Sequence, residues 1–241
     1  MTERLLILGA GGHGKACAEV AMMNYHREIA FLDDEVRAGT EILGFPVLGK
    51  ISALEELRKE GDAAFVAIGN NQRRREIFDW LKTRGVPVAT LCEPSAVVSY
   101  FAQIGEGVLL MPRVVVNAGA RVGEGAILNT AAVVEHDCDI GAFAHLSPGV
   151  CLGGGARIGE GAHLGLGAIV LPNVTVGAGA VAGAGCVINK DLNDNVVAVG
   201  LPARIIRHAD STIPSEHYRS RTESRARRAV HAASVAGRQA G

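Results

Sequence analysis

From Val98 to Asn193 the chain places an aliphatic residue at every sixth position without a slip. The series runs Val98, Ile104, Leu110, Val116, Val122, Leu128 and on to Ala182 and Ile188, 16 hexads over 96 residues with no insertion. The fifth place of each hexad is small or apolar: Ala nine times, Val four times, Cys at 138 and 186, and Leu once. Gly often takes the second place, as at Gly105, Gly123, Gly141, Gly159 and Gly177. An α-helix would need apolar stops near every 3.6 residues and a flat strand every 2. A period of six fits neither, and it is the sign of a parallel β-helix built from hexapeptide units. Six residues make a short strand and a turn, and three units close a triangular coil. The long aliphatic residue and the small residue four places later both point inward and fill a narrow prism. Coils stack at about 4.8 Å, the spacing of paired strands, so the repeat predicts five coils and a third. Each coil buries its neighbour, as in other solenoids.

Composition sets outer limits. With 241 residues, 48% of them hydrophobic, the chain has room for one large or two small domains. A net charge of −1 offers no electrostatic case for nucleic acid. No apolar run reaches the roughly 18 residues that a membrane-spanning helix needs, so no integral membrane segment is expected. The N-terminus shows no signal-peptide pattern, which predicts a cytoplasmic protein. The five cysteines form no C-x-x-C pair, so neither a disulfide framework nor a zinc site is expected. Cys138 and Cys186 fall at inward places and read as core.

Residues 1–93 read differently. Arg4 to Leu8 is a strand-like apolar run, followed by Gly9-Ala10-Gly11-Gly12-His13-Gly14-Lys15 and a helical pattern from Ala16 to Met23. Glu28 to Asp34 reads as a second strand ending in two carboxylates, and Phe45 to Gly49 as a loop. Ser52 and Glu55 have the spacing of a helix capping box. Ala63 to Ile68 is a third strand closed by Gly69-Asn70-Asn71, Gln72 to Arg84 a helix, and Val88 to Leu91 a fourth strand. Alternating strands and helices imply a parallel sheet, here a small Rossmann-like α/β domain. Gly9-x-Gly11-x-x-Gly14 after a strand, with Asp33 and Asp34 about 20 residues on, satisfies the dinucleotide fingerprint. Its physical content is a tight turn and a helix N-terminus facing an anion. That supports a nucleotide or phosphate site. NAD itself fits less well, because a full dinucleotide fold has six strands and this segment predicts four.

The expected domains are therefore 1–93, a nucleotide-binding α/β domain; 94–207, the β-helix; and 208–241, a basic polar tail or surface helix, with Ser215 to Val235 as the helical candidate.

Glu135-His136-Asp137 is the most informative triplet for chemistry. His136 takes the third, outward place of its hexad, so its ring meets a ligand or a neighbouring chain. Carboxylates on both sides can hold the ring in one tautomer and raise its basicity. His145 and His163 are three hexads apart and stack on successive coils, with Ile127 and Val181 in phase, so no third metal ligand completes a site. His145 is expected to contact a ligand and His163 to lie at the surface. No Ser-His-Asp or Cys-His nucleophile arrangement is evident, which points to direct transfer.

These residues carry a resemblance. Gly9-x-x-Gly12-His13-Gly14, Leu32-Asp33-Asp34, Ala67-Ile68-Gly69-Asn70-Asn71, Leu128-Asn129-Thr130, Glu135-His136-Asp137-Cys138, His145-Leu146-Ser147 and Val199-Gly200-Leu201-Pro202-Ala203 resemble the motifs of one family. It is the family of nucleotide-sugar N-acetyltransferases with a left-handed β-helix, most similar in the UDP-4-amino-sugar enzymes of bacillosamine synthesis. Sialic acid O-acetyltransferases are related. The resemblance spans residue 4 to about 206. It implies a left-handed coil, a homotrimer, and acetyl-coenzyme A as cosubstrate in a groove between adjacent β-helices, with no metal. It implies His136 as general base and Asp137 as the acid that raises its basicity, with Glu135 able to share that role. Gly12, His13, Gly14, Asp33, Asp34 and Gly69 match the nucleotide-sugar site. His145, Gly154, Leu166 and Ala184 match the acetyl-coenzyme A groove. The bacillosamine enzymes tend to carry Glu at the place of Asp137, one methylene longer, and often Gly at the place of Ala184.

The reading is an acetyl-coenzyme A-dependent N-acetyltransferase of a nucleotide-linked 4-amino-4,6-dideoxy sugar. A sugar O-acetyltransferase is the same-class alternative. An NAD-linked oxidoreductase and a non-catalytic β-helix scaffold are the alternatives of other classes.

Overall fold

The computed structural model describes residues 4–24 and 28–208, which fall within one compact unit. The helix expected from Ser215 to Val235 lies outside the described residues.

The first half is built on β1 (Arg4–Leu8), whose five residues are all buried. Burial on both faces is what a central parallel strand requires. Around it lie α1 (Gly12–Met23), β2 (Glu28–Leu32), β3 (Glu41–Ile42), β4 (Phe45–Gly49), a 3₁₀ turn (Ile51–Ala53), α2 (Leu54–Leu57), β5 (Ala63–Val66) and α3 (Asn71–Thr83). The strands form one five-stranded sheet in the order β3-β4-β2-β1-β5. All neighbours are parallel except β3 and β4.

Three local expectations are corrected. Phe45 to Gly49 is a strand, not a loop: Val47 is buried and pairs with Phe31. Pro46 and the flanking glycines hid it, since such residues usually argue against a strand away from an edge. Val88 forms only an isolated bridge to Ala64, so the fourth parallel strand is β4 rather than Val88 to Leu91. Leu91–Cys92 instead pairs with Leu109–Leu110 and opens the β-helix, ahead of residue 94. Ser52 caps nothing. Helix α2 is one turn long, with Ala53 at its N-cap and no side-chain cap bond, and the Ile51 amide donates to Asp34 Oδ1 at 3.1 Å.

The hexads form two-residue strands, each paired with the strand three hexads on, giving three parallel sheets. The inward residues are almost all buried, among them Val116, Leu128, Val134, Leu146 and Ile158 with Ala120, Ala132, Cys138 and Cys186. The three faces differ outward. A valine face presents Val97, Val115, Val133, Cys151, Ile169 and Val187. A charged face presents Gln103, Arg121, Asp139, Arg157 and Thr175. The third, docked face carries Leu109, Ile127, His145, His163 and Val181. It is extended past the repeat by Val196–Val199 and by an antiparallel strand, Arg204–His208.

The α/β half packs on the docked face and on the corner where the charged face turns into it. Arg74 is the weld. Its guanidinium is buried and donates to the Gly125 and Phe143 carbonyls of that corner, both at 2.7 Å, and to Ile68 O, Gly69 O and Asn71 Oδ1. Burial without a carboxylate pushes its pKa down to about 9. Asn71 donates to Gly161 O at 2.9 Å, Lys82 pairs with Glu106 and Glu124, and Phe78 meets Phe143 edge-on at 5.3 Å between centroids. Among the described residues no helix is long and apolar enough to cross a membrane.

Candidate active site

Two groups of predicted residues emerge, on different edges of the prism. The first surrounds the glycine turn. Helix α1 starts at Gly12, so Gly12, His13 and Gly14 form its first turn, whose amides have no intrahelical partner. Gly11, at the N-cap, supplies no side-chain cap. The glycines divide by role. A β-carbon on Gly14 would fall onto the Gly9 carbonyl oxygen, so Gly14 is needed for packing. Nothing lies within 4 Å of the β-carbon positions of Gly12 and Gly69, which face open space.

Asp33 is pinned beneath this turn. Its Oδ2 accepts from the Ala10 amide at 2.7 Å, and its Oδ1 from the Glu35 and Val36 amides at 2.8 and 2.9 Å. Burial alone would raise its pKa, but the three amides outweigh it and hold the carboxyl below the usual value. Asp34 is more exposed and stands 3.7 Å from Arg73. It borders an open cleft of about 470 Å³ between the 3₁₀ turn and α3, lined also by Ser52, Glu55 and Trp80.

His13, His145 and His163 meet where the glycine turn faces the docked face. The His145 and His163 rings stack at 4.7 Å with an 8° angle between planes, and Ser147 Oγ lies 3.1 Å from His163 Nε2. His163 is thus half-buried, not a surface residue as expected: the α/β half covers its coil. Burial, then the charge of Arg74, lowers the His13 pKa to about 4. Burial, then His163, Arg74 and His13, lowers that of His145 to about 2, with the Gly69 backbone acting weakly in the opposite direction. Burial and Arg74 lower His163 as well. All three rings are therefore neutral at pH 7. Among the described residues, His13 Nε2 and both His145 ring nitrogens are buried with no hydrogen-bond partner. Such groups are uncommon unless a ligand or water completes them. Among the described residues, no cluster of three or more His, Cys, Asp or Glu is disposed to hold a metal ion.

The second group sits on the corner between the valine and charged faces. His136 and Asp137 are both exposed, and His136 Nδ1 lies 2.8 Å from Asp137 Oδ2. An ionised carboxylate can only accept, so Nδ1 carries the proton, and in the neutral ring the lone pair is on Nε2. The shorter Asp reaches the ring without the extra methylene of Glu. Glu135 makes no hydrogen bond with the ring. Its Oε2 accepts from Asn117 Nδ2 at 2.8 Å, one coil away.

Four residues expected in one groove are separated within a single chain. Gly154 lies under the imidazole, where a β-carbon would come within 2.6 Å of His136 Cε1 and Nε2. Leu166 and Ala184 are in phase on another corner, between the docked and valine faces, and His145 is on the docked face itself. The apolar valine face separates the His136 corner from the Leu166 corner. Arg74 and Asn117 escaped the sequence reading, and Ser147 entered it only within the His145-Leu146-Ser147 motif, without a role. Arg74 had a signal, since it lies three, four and seven residues before Ile77, Phe78 and Leu81 on one helix face. Asn117 had none beyond its phase.

A Rossmann-like sheet with a glycine turn, joined to a hexapeptide β-helix that displays an exposed His–Asp pair, defines an acyltransferase of the β-helix class. The PglD N-terminal domain family matches residues 4–81. The acetyltransferase domain of PglB from Neisseria gonorrhoeae, solved with acetyl-coenzyme A, is 42% identical, with a TM-score of 0.83 over 86% of this chain and 100% of that one. PerB from Caulobacter crescentus, solved with CoA and GDP-perosamine, is 42% identical, with a TM-score of 0.80 over 83% of this chain and 96% of that one. The UDP-N-acetylbacillosamine N-acetyltransferase of Bacillus subtilis is 40% identical over 115 residues, 45% of this chain and 51% of that protein. The chain thus aligns with about half the length of that curated relative. It belongs to the family of sugar N-acetyltransferases that PglB and PerB represent.

Proposed function

We propose that the protein transfers an acetyl group from acetyl-coenzyme A to the free amine of a nucleotide-linked 4-amino-4,6-dideoxy sugar, with His136 as general base. The observation that carries this reading is the outward imidazole whose Nδ1 is held by Asp137 at 2.8 Å. The neutral amine attacks the thioester carbonyl carbon as His136 Nε2 takes its proton. The C–S bond then breaks, and the proton passes to the departing thiolate. Asp137 stabilises the imidazolium that forms in between.

The acceptor is argued from the other edge. The free amides of Gly12 to Gly14 suit a diphosphate. Gly69 leaves space, and the unpartnered nitrogens of His13 and His145 can bond sugar hydroxyls or the amine. In one chain this crevice and His136 lie on different edges of the prism. A head-to-tail ring of three copies, closed through the valine faces, would bring the His136 corner of one copy to the Leu166 corner and crevice of the next. The same contact would gather Gly154 with a neighbour's Leu166, Ala184 and His145 around one acetyl-coenzyme A. UDP is the nucleotide we favour, as the Bacillus relative is named for a UDP sugar, and GDP is the competing choice, since PerB was solved with GDP-perosamine.

The test is a panel of UDP-, GDP- and dTDP-amino sugars with acetyl-coenzyme A, read by mass spectrometry. A mass gain of one acetyl group is expected only where the sugar carries a free amine, with UDP inhibiting more strongly than GDP. Equal acetylation of free sialic acid, with no inhibition by any nucleoside diphosphate, would move the assignment to O-acetylation. Acetyl-coenzyme A should raise the melting temperature by mass action and NAD should not; a shift with NAD alone would favour the oxidoreductase.

A further inference from the structure

The two carboxylate oxygens of Asp137 face different neighbours. Its Oδ2 meets the His136 ring, while its Oδ1 occupies the space that a β-carbon on Gly119 would need, 2.5 Å from where that carbon would stand. Gly119 lies one coil earlier with φ +75, and Asp137 itself has φ +60. The same arrangement recurs twice in this β-helix. Asn173, φ +61, sets its Oδ1 over Gly155, φ +69, again 2.5 Å from the missing β-carbon. Asn195, φ +52, does so over Gly179, φ +63. Each time an Asp or Asn, the non-glycine types that best tolerate the left-handed region, rests its side-chain oxygen on a left-handed glycine of the preceding coil.

Asp137 is thus the acidic member of a structural ladder, with one oxygen seated on the scaffold and the other on the imidazole. We propose that Gly119 is a positioning residue: the seat it leaves open fixes the Asp137 carboxylate in the rotamer that reaches His136. This rests on the reading of His136 as the base.

The test is a double-mutant cycle. Gly119→Ala should lower kcat by roughly 10- to 100-fold, the effect of an ångström-scale misplacement, and leave KM for acetyl-coenzyme A unchanged. In an Asp137→Ala background the same change should be silent, because no carboxylate remains to be displaced. Gly179→Ala carries the same backbone strain and the same clash with Asn195, so it should lose stability but not kcat. Equal losses from Gly119→Ala with and without Asp137, or no loss at all, would overturn the proposal. A crystal structure of Gly119→Ala reads the seat whichever residue is the base. The hydrogen bond between His136 and Asp137 should be gone, and an intact bond would refute the seat even if His136→Ala proved active. Should Gly119→Ala fail to fold, Asp137→Asn should melt like wild type and Asp137→Ala several degrees lower; equal melting of all three would overturn the ladder.

Discussion

A base on a rigid turn has a simple signature. His136→Ala should lose about 10²- to 10⁴-fold in kcat, the usual contribution of general-base catalysis, while acetyl-coenzyme A still binds. Turnover within a few-fold of wild type, in a steady-state assay paired with calorimetry, would remove His136 from that role. Gly154→Ala puts a methyl into the ring's place, 2.6 Å from two of its atoms, so it should depress kcat as well. Residues of this kind differ in how legible they were. His136 and Asp137 are consecutive, and the hexad phase alone turns them outward together. Glu135 was kept as able to share the role of Asp137, because nothing in the sequence says that Asn117, a coil away, claims it. Gly119 looked like any other turn glycine. What a glycine makes room for is a fact about the next coil.

The hexads were legible because one period fixes both strand and turn, whereas the sheet of the first half was legible only in its core strands. Helix α3 was drawn correctly to within a residue, yet its function as a clamp was not. Arg73, Arg74 and Arg75 were read only as part of the helix, and it is helical phase that buries the middle one against carbonyls from the other half. Arg74→Met would leave the Gly125 and Phe143 carbonyls unpaired, at about 1–3 kcal/mol each, and should lower the melting temperature by roughly 5–15 °C. The histidine stack beneath it predicts a pH dependence. Because burial lowers these pKa values, the unfolded chain binds more protons than the folded one between pH 6.5 and about 4. Stability from this source is whole above pH 6.5 and falls as the solution is acidified, by up to about 1.4 kcal/mol per pH unit for each histidine. Urea unfolding at pH 7 and pH 5 measures it. His145→Phe should flatten the slope, and an unchanged slope would show that the ring titrates alike in both states.

At the scale of the molecule, the three faces of the prism have three different fates. One is covered by the α/β half, one is charged, and one is a ladder of valines with Ile169 41% exposed. A contiguous apolar ladder of this kind marks an interaction surface. Ile169→Glu, on that face, should yield monomers by light scattering and abolish turnover while leaving the circular dichroism of the fold intact. An active monomer would break the shared-site arrangement. The sequence showed which hexad residues are small and apolar, but not which of three faces the first half would cover, since that depends on Arg74 and Asn71 meeting turns far along the chain.

The pairing of every repeat strand with the one three hexads on has a consequence for how such a chain can change length. Adding or losing one residue within the repeat would rotate all downstream side chains out of step, and adding a single hexad would send every later strand to the wrong side of the triangle. Only a whole turn of three hexads restores each residue to its own column. Growth and shortening are therefore quantised, and the natural mutation of this architecture is the duplication or loss of a complete storey.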